Sequence, residues 1–227
     1  ISEVRGSRQR RAAAPLICLF GGTFDPIHNG HLHAAEAVRA ALGIDEVRLV
    51  LSARPSHKGS TSASLEQRWA MLELACADHP GLVPDDREVR RQRPSFTVET
   101  LEAIRSEAPD QDLAWVIGSD AYALLESWYR WQDVLELANL IVLQRPGGFP
   151  AMSERMVAYT EAHRVDSLAG CHKGGIFMLD DAMQEVSAQD IRAAVAAGRD
   201  VSHLIPPPVA LYIRKHRLYG DPGPARN

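Results

Sequence analysis

The sequence predicts an α/β fold: a doubly wound, mostly parallel sheet with a small C-terminal helical portion. Three observations carry this expectation. Short continuous apolar runs recur along the chain, as in Leu16 to Phe20, Leu113 to Ile117 and Leu140 to Leu143; strands covered on both faces have this pattern. Segments with helical spacing of apolar residues lie between them. The runs close at glycine or near proline, where the chain turns. Strands alternating with helices build a parallel sheet, and such sheets hold their ligands outside the carboxyl ends of the strands.

The elements follow in order. Leu16 to Phe20 reads as a buried strand entering a tight turn at Gly21 and Gly22. Gly30 to Leu42 is Ala-rich and made of good helix formers, and Gly43 stands where a helix stops. Val47 to Ser52 is the next strand, and Ala53 to Ser64 is a polar loop with Pro55, His57, Lys58 and Gly59. Leu65 to Ala77 carries a stripe at Leu65, Trp69, Leu72 and Cys76. A weaker extended segment surrounds Leu82 to Val89, and Thr97 to Ser106 is a helix that buries Val98, Leu101 and Ile104. Asp112 to Ile117 is the central strand, closing at Gly118. Short helices are expected at Ala121 to Leu125 and Gln132 to Leu137, then a strand at Asn139 to Leu143. Met152 to His163 is helical, Leu168 to Gly175 a loop, and Ile176 to Leu179 the last strand. Ala188 to Ala197, stopped by Gly198, and Pro208 to His216, with proline in its first turn, are the final helices.

Composition narrows the function classes. With 227 residues, 45% hydrophobic and 24% charged, the chain is long enough to bury a sizeable core. One domain is expected over 16–219, between a basic, Ala-rich leader at 1–15 and a short tail at 220–227. The net charge of −4 gives no global field to recruit nucleic acid or an anionic membrane, so neither is expected as a partner. No apolar run approaches the length of a membrane span. Cys18, Cys76 and Cys171 are widely separated and form no CxxC pair, which fits a reducing cytoplasm. Small anionic substrates must then be gripped locally.

The densest signal is Gly21-Gly22-Thr23-Phe24-Asp25-Pro26-Ile27-His28-Asn29-Gly30-His31-Leu32, where the first strand hands over to the first helix. Two glycines let the backbone approach a ligand, and N–H groups at a helix start carry a partial positive charge. His28 and His31, three residues apart, lie on one side of the first turn and can point at one anion. Each piece alone has a plainer reading, as a turn or as structural histidines. A metal site at the His28–His31 pair, with Asp25 nearby, finds no third ligand at a familiar spacing, and neither GxxxxGK[ST] nor GxGxxG occurs. Asp25 suits a turn as well as a ligand role.

This block resembles the signature of the nucleotidyltransferase superfamily with the (H/T)xGH motif, in the form seen in bacterial nicotinate-mononucleotide adenylyltransferases. Further segments resemble that family in its order. They are Pro55-Ser56-His57-Lys58, Arg68 to Asp78, Arg93-Pro94-Ser95-Phe96-Thr97 with Thr100-Leu101, Ile117-Gly118-Ser119-Asp120 with Ser127-Trp128-Tyr129, Arg145-Pro146-Gly147, and Val186-Ser187-Ala188 through Ile191-Arg192. The likeness runs from about Leu16 to Tyr219, except that Gln189 stands where threonine is usual and Phe149 to Gly175 matches poorly, as a surface excursion would.

The resemblance implies a Rossmann-like nucleotidyltransferase fold and transfer of the AMP portion of ATP to nicotinate mononucleotide, giving deamido-NAD and pyrophosphate. It implies His28, His31, Lys58 and Arg192 as the catalytic donors. It places ATP against Gly21, Gly22, Thr23, Phe24, His28, His31, Gly118, Asp120, Ser187, Ile191 and Arg192, and the mononucleotide against Lys58, Thr97, Ser119, Asp120, Trp128, Tyr129 and Arg145. Mg²⁺ is expected to arrive on the ATP phosphates, with no protein metal site. Trp128 offers a face for a pyridine ring or a place in the core, and Asp120 a ligand contact or a helix cap. The alternatives are a phosphopantetheine adenylyltransferase-like enzyme and a non-catalytic nucleotide sensor of the same fold.

Overall fold

The first apolar run becomes an interior strand of a sheet because both its faces are covered. The computed structural model describes residues 16–55, 61–144, 150–180 and 186–220. Its strands are β1 (Ile17–Gly22), β2 (Val47–Leu51), β3 (Leu82–Asp85), β4 (Leu113–Gly118), β5 (Asn139–Leu143), β6 (Arg164–Val165) and β7 (Ile176–Leu179). They form a seven-stranded sheet in the order β3-β2-β1-β4-β5-β7-β6, and every pairing is parallel. Register follows the apolar pattern: Leu19 lies beside Arg48 on one side and Trp115 on the other, and Phe20 beside Leu49 and Val116.

Alternate residues of each strand feed two cores. Cys18, Phe20, Leu49, Leu51, Ala114, Val116, Ile141 and Leu143 face one layer. There they meet α1 (Asn29–Leu42), α2 (Leu65–Cys76), α7 (Ala188–Ala196) and α8 (Pro207–His216). Leu19, Val50, Leu113, Trp115, Ile117, Leu140 and Val142 face the other. That layer holds α3 (Thr97–Glu107), α4 (Ser119–Ala123), α5 (Asp133–Leu137) and Met156 of α6 (Glu154–His163). The order of strands reverses between β1 and β4, whose carboxyl ends carry Gly22 and Gly118. That junction is the crevice where a doubly wound sheet takes its ligand.

Most boundaries fall within two residues of the expected ones. The strands Asn139–Leu143 and Ile176–Leu179 coincide with expectation, and Gly43 ends α1 in the left-handed region at φ 61°. Three differences have physical reasons. The helix after β4 begins at Ser119, directly on the strand, and gives way at Leu125–Ser127 to a 3-10 turn. The buried face of α2 runs through Arg68, Met71, Leu72, Ala75 and Cys76; of the expected stripe Leu72 and Cys76 lie on it, while Leu65 and Trp69 pack partly buried at its margin, so the face is turned by part of a turn. The segment expected as a surface excursion contributes structure: Ser153 caps α6, Met156 is fully buried, and β6 adds the edge strand. The expected leader at 1–15 and residues 221–227 lie outside the described residues. Among the described residues no helix is long and apolar enough to cross a membrane, and the cysteines are unbridged, with Cys18 and Cys76 buried.

Candidate active site

The site grows from the turn between β1 and α1. Phe24 is in the left-handed region at φ 46°, unusual for a bulky residue and held by its surroundings. Its ring meets Phe20 edge to face at 6.2 Å and His31 at 5.0 Å. His28 is the N-cap of α1, and its carbonyl accepts from the N–H of His31 at 2.9 Å. The two imidazoles stack, with centroids 3.6 Å apart and planes 24° apart. His28 is 5% exposed and His31 more open.

The glycines serve this arrangement differently from the expectation that they admit ligand. A Cβ on Gly21 would sit 2.2 Å from Trp115, and one on Gly22 would sit 2.4 Å from Phe24. The room at both positions is filled by the protein's own rings. At Gly30 a Cβ would meet the His28 imidazole at 3.1 Å and Val186 at 3.4 Å; this glycine seats the histidine. The helix start also gives fewer open N–H groups than expected, because Asn29 N–H donates to the Leu204 carbonyl at 2.9 Å.

Beneath the turn lies Arg68, 1% exposed. Its Nη1 donates to the carbonyls of Thr23 (2.9 Å) and Ser52 (2.7 Å), and its Nη2 to that of Ala53 (2.8 Å). A trans peptide points its N–H opposite its carbonyl, so drawing the Thr23 carbonyl inward turns the Phe24 N–H away from the buried guanidinium. Burial lowers the pKa of Arg68 from its ordinary value and the Asp25 charge opposes that shift. Its positive charge stays beneath the turn and favours an anion above it.

Asp25, 7% exposed, answers the question the sequence left open. Its carboxylate accepts from the N–H groups of Ser62 (2.7 Å) and Ala63 (3.2 Å) and from the Tyr219 hydroxyl (2.8 Å). Its main-chain carbonyl accepts from Arg192 Nη1 at 2.7 Å. The role is structural, and it brings the guanidinium of α7 to the histidine-bearing turn. Ser187 caps α7, donating to Asp190 Oδ2 at 2.7 Å and accepting from its N–H at 3.1 Å. Its expected place at the nucleotide is therefore shared with a capping role. The Ile191 side chain is wholly in the core.

Across the junction, Gly118 is the N-cap of α4, Ser119 is fully buried and Asp120 is exposed in the first turn. Asp120 is thus not the cap. The segments expected around the acceptor meet one another: the rings of Phe96 and Tyr129 are 4.8 Å apart, Thr97 opens α3, and Trp128 packs partly buried against the second core. Ser95 joins them to the end of the β2 loop, donating to the Arg54 carbonyl at 3.0 Å and accepting from its N–H at 3.2 Å. Lys58 and Arg145 lie outside the described residues. Among those described, no group of three or more His, Cys, Asp or Glu is placed to hold a metal ion.

Sequence reasoning missed Arg68 and Tyr219 as parts of the site. An arginine within an otherwise apolar helical face was the available signal for the first. Nothing local marked the second, whose partner is 194 residues away.

A parallel sheet whose switch point carries a histidine-capped turn and a converging arginine defines a nucleotidyltransferase. The model of the cytidylyltransferase-like family matches residues 19–194, and the chain belongs to that family. Within it the chain groups with the nicotinate-nucleotide adenylyltransferases. It is 44% identical over 208 residues to the probable nicotinate-nucleotide adenylyltransferase of Aeromonas hydrophila, covering 90% of this chain and 97% of that one. It is 42% identical over 209 residues to the protein of the same name from Pseudomonas fluorescens, covering 91% and 98%. Among solved structures, Plasmodium falciparum nicotinic acid mononucleotide adenylyltransferase complexed with NaAD superposes with a TM-score of 0.73 at 19% identity, covering 91% and 98% of the two chains. That likeness is one of fold.

Proposed function

We propose that this chain transfers the adenylyl group of ATP to nicotinate mononucleotide, forming deamido-NAD and releasing pyrophosphate. The observation that carries the reading is the stacked pair His28 and His31 at the β1–β4 junction, with Arg192 tethered beside it through Asp25. The relatives' shared name supports the choice of acceptor.

In this reaction an oxygen of the mononucleotide phosphate attacks the α-phosphorus of Mg·ATP in line. The bond from that phosphorus to the bridging oxygen breaks, and pyrophosphate leaves. A phosphate monoester is already an anionic nucleophile at neutral pH, so the protein has to position two anions and neutralise the leaving group. His28 and His31 donate to the phosphates, Arg192 and the expected Lys58 supply fixed positive charge, and the Gly21–Phe24 turn faces the triphosphate above buried Arg68. Gly118 and Asp120 close the ATP side, with Ser187 at the mouth of α7. Thr97, Ser119, Trp128 and Tyr129, with the expected Arg145, receive the mononucleotide. Magnesium, when bound, would be held mainly by the triphosphate oxygens and would offset their charge. The working compartment inferred with this reaction is the cytoplasm.

Chromatography of products after mixing the protein with Mg·ATP and an acceptor panel tests the proposal. Deamido-NAD and pyrophosphate in equal amounts are expected from nicotinate mononucleotide, with the amide mononucleotide turned over far more slowly. Equal rates on acid and amide would remove the acceptor assignment. Pyrophosphate with phosphopantetheine alone would move the chain to the rival enzyme, and ATP binding without any product would make it a sensor.

A further inference from the structure

Resting on the reading just given, we infer that Tyr219 is a positioning residue for the ATP half of the site, acting through Asp25. Its hydroxyl donates to Asp25 Oδ1 at 2.8 Å. Asp25 is the hub of the phosphate-facing turn. One oxygen takes the Ser62 N–H and the other the Ala63 N–H and Tyr219, while the main-chain carbonyl of the same residue takes Arg192. A buried carboxylate is held in place by its donors. Among the described donors to the carboxylate, Tyr219 is the one side chain, reaching in from beyond the last long helix.

The chain is bent there to make the contact. After α8, Arg217 is left-handed at φ 49° and Tyr219 at φ 58°, a conformation that costs non-glycine residues and persists where the surroundings impose it. Leu218 between them is buried in the first core, which fixes the direction from which the ring arrives. Burial foremost, then the Asp25 charge and their hydrogen bond, raise the Tyr219 pKa from its ordinary value. The hydroxyl therefore keeps its proton and remains a donor throughout the physiological range. Without that donor one Asp25 oxygen loses a partner, the Asp25 peptide is less constrained, and the anchor of Arg192 moves with it. Among the described residues the acceptor segments around Phe96 and Tyr129 make none of these contacts directly, so the effect is expected first on ATP.

Tyr219→Phe removes the hydroxyl and keeps the ring. In the full chain, calorimetry with a non-hydrolysable ATP analogue is expected to show Kd raised on the order of 10-fold, the scale of one lost hydrogen bond to a charged group. The KM for ATP should rise in parallel, the KM for nicotinate mononucleotide should stay within about twofold, and the melting temperature should hold within a few degrees. Asp25→Asn should weaken analogue binding similarly, and Tyr219→Phe added to it should weaken binding no further, since coupled residues are not additive. An unchanged Kd in Tyr219→Phe overturns the inference. So do KM values that rise equally for both substrates alongside a fall in melting temperature, the mark of a staple for the fold, and so do additive losses in the double variant. If the wild type makes no deamido-NAD, the proposed function fails by itself, and the Kd ratio still decides the role of Tyr219. No analogue binding by the wild type overturns both.

Discussion

Single atoms decide much at this site. Gly21 and Gly30 are both glycines of one motif, yet their missing side chains face different neighbours. Gly21→Ala drives a methyl into Trp115 within the second core and is expected to cost about 1–3 kcal/mol by overpacking. Gly30→Ala gains up to about 1 kcal/mol of helix propensity but presses on the His28 ring at 3.1 Å. The expected outcome is a crossed pattern in thermal melts and pyrophosphate assays: the first variant less stable, the second folded and slow. If Gly30→Ala turns over normally, His28 is not held for catalysis. His31→Ala should lose about 10²–10³ in turnover, the worth of one donor to developing charge, with its melting temperature nearly unchanged. Near-normal turnover in that variant would remove His31 from the donors.

At the scale of elements, what the sequence disclosed depended on how local the cause was. Strands such as Asn139–Leu143 were legible because burial on both faces leaves an unbroken apolar run. The start of α1 was legible because its cap, glycine and histidines fall within a few residues. The α2 face was misplaced because its centre is charged: Arg68 is buried where three backbone carbonyls from two other segments converge, and no periodicity announces that. Arg68→Met should therefore cost about 3 kcal/mol or more, since each carbonyl left without a donor costs on the order of 1 kcal/mol. Urea unfolding would show it as a lowered midpoint at unchanged slope; a midpoint equal to wild type would deny Arg68 its place beneath the turn. The Asp25–Tyr219 contact was illegible for the related reason that its ends are far apart in the chain. Of the candidate site, the histidine turn and Arg192 were found together, Asp25 proved a brace, and the Ile191 side chain went to the core.

For the whole molecule, the two-layer burial of the sheet sets an alkaline limit. Burial raises the thiols of Cys18 and Cys76 from the ordinary 9.0 to about 12. Above pH 9 the unfolded chain releases protons that the folded chain keeps, so unfolding binds fewer protons and stability falls as pH rises. Melting temperatures should thus be level with respect to these groups up to about pH 9 and decline between 9 and 12. At pH 8 an alkylating reagent should label Cys171, which is partly exposed, while Cys18 and Cys76 stay unmodified until unfolding. Rapid labelling of all three in the native protein would contradict the packing of the first core.

The switch point between β1 and β4 is where this fold, with a net charge of −4, must gather positive charge if it is to hold a triphosphate. An arginine-lined hollow exists elsewhere, at the sheet edge, bordered by Arg48, Arg87, Arg90 and Arg91. There Arg87 is paired with Asp85 and Glu107, Arg90 with Asp86, and Arg48 with Glu46, which leaves less charge for an anion. A crystal structure with a non-hydrolysable ATP analogue and magnesium distinguishes the two. The triphosphate is predicted across the edges of His28 and His31, within reach of Arg192. A triphosphate seated in the β3 hollow, with both imidazoles bare, would contradict it.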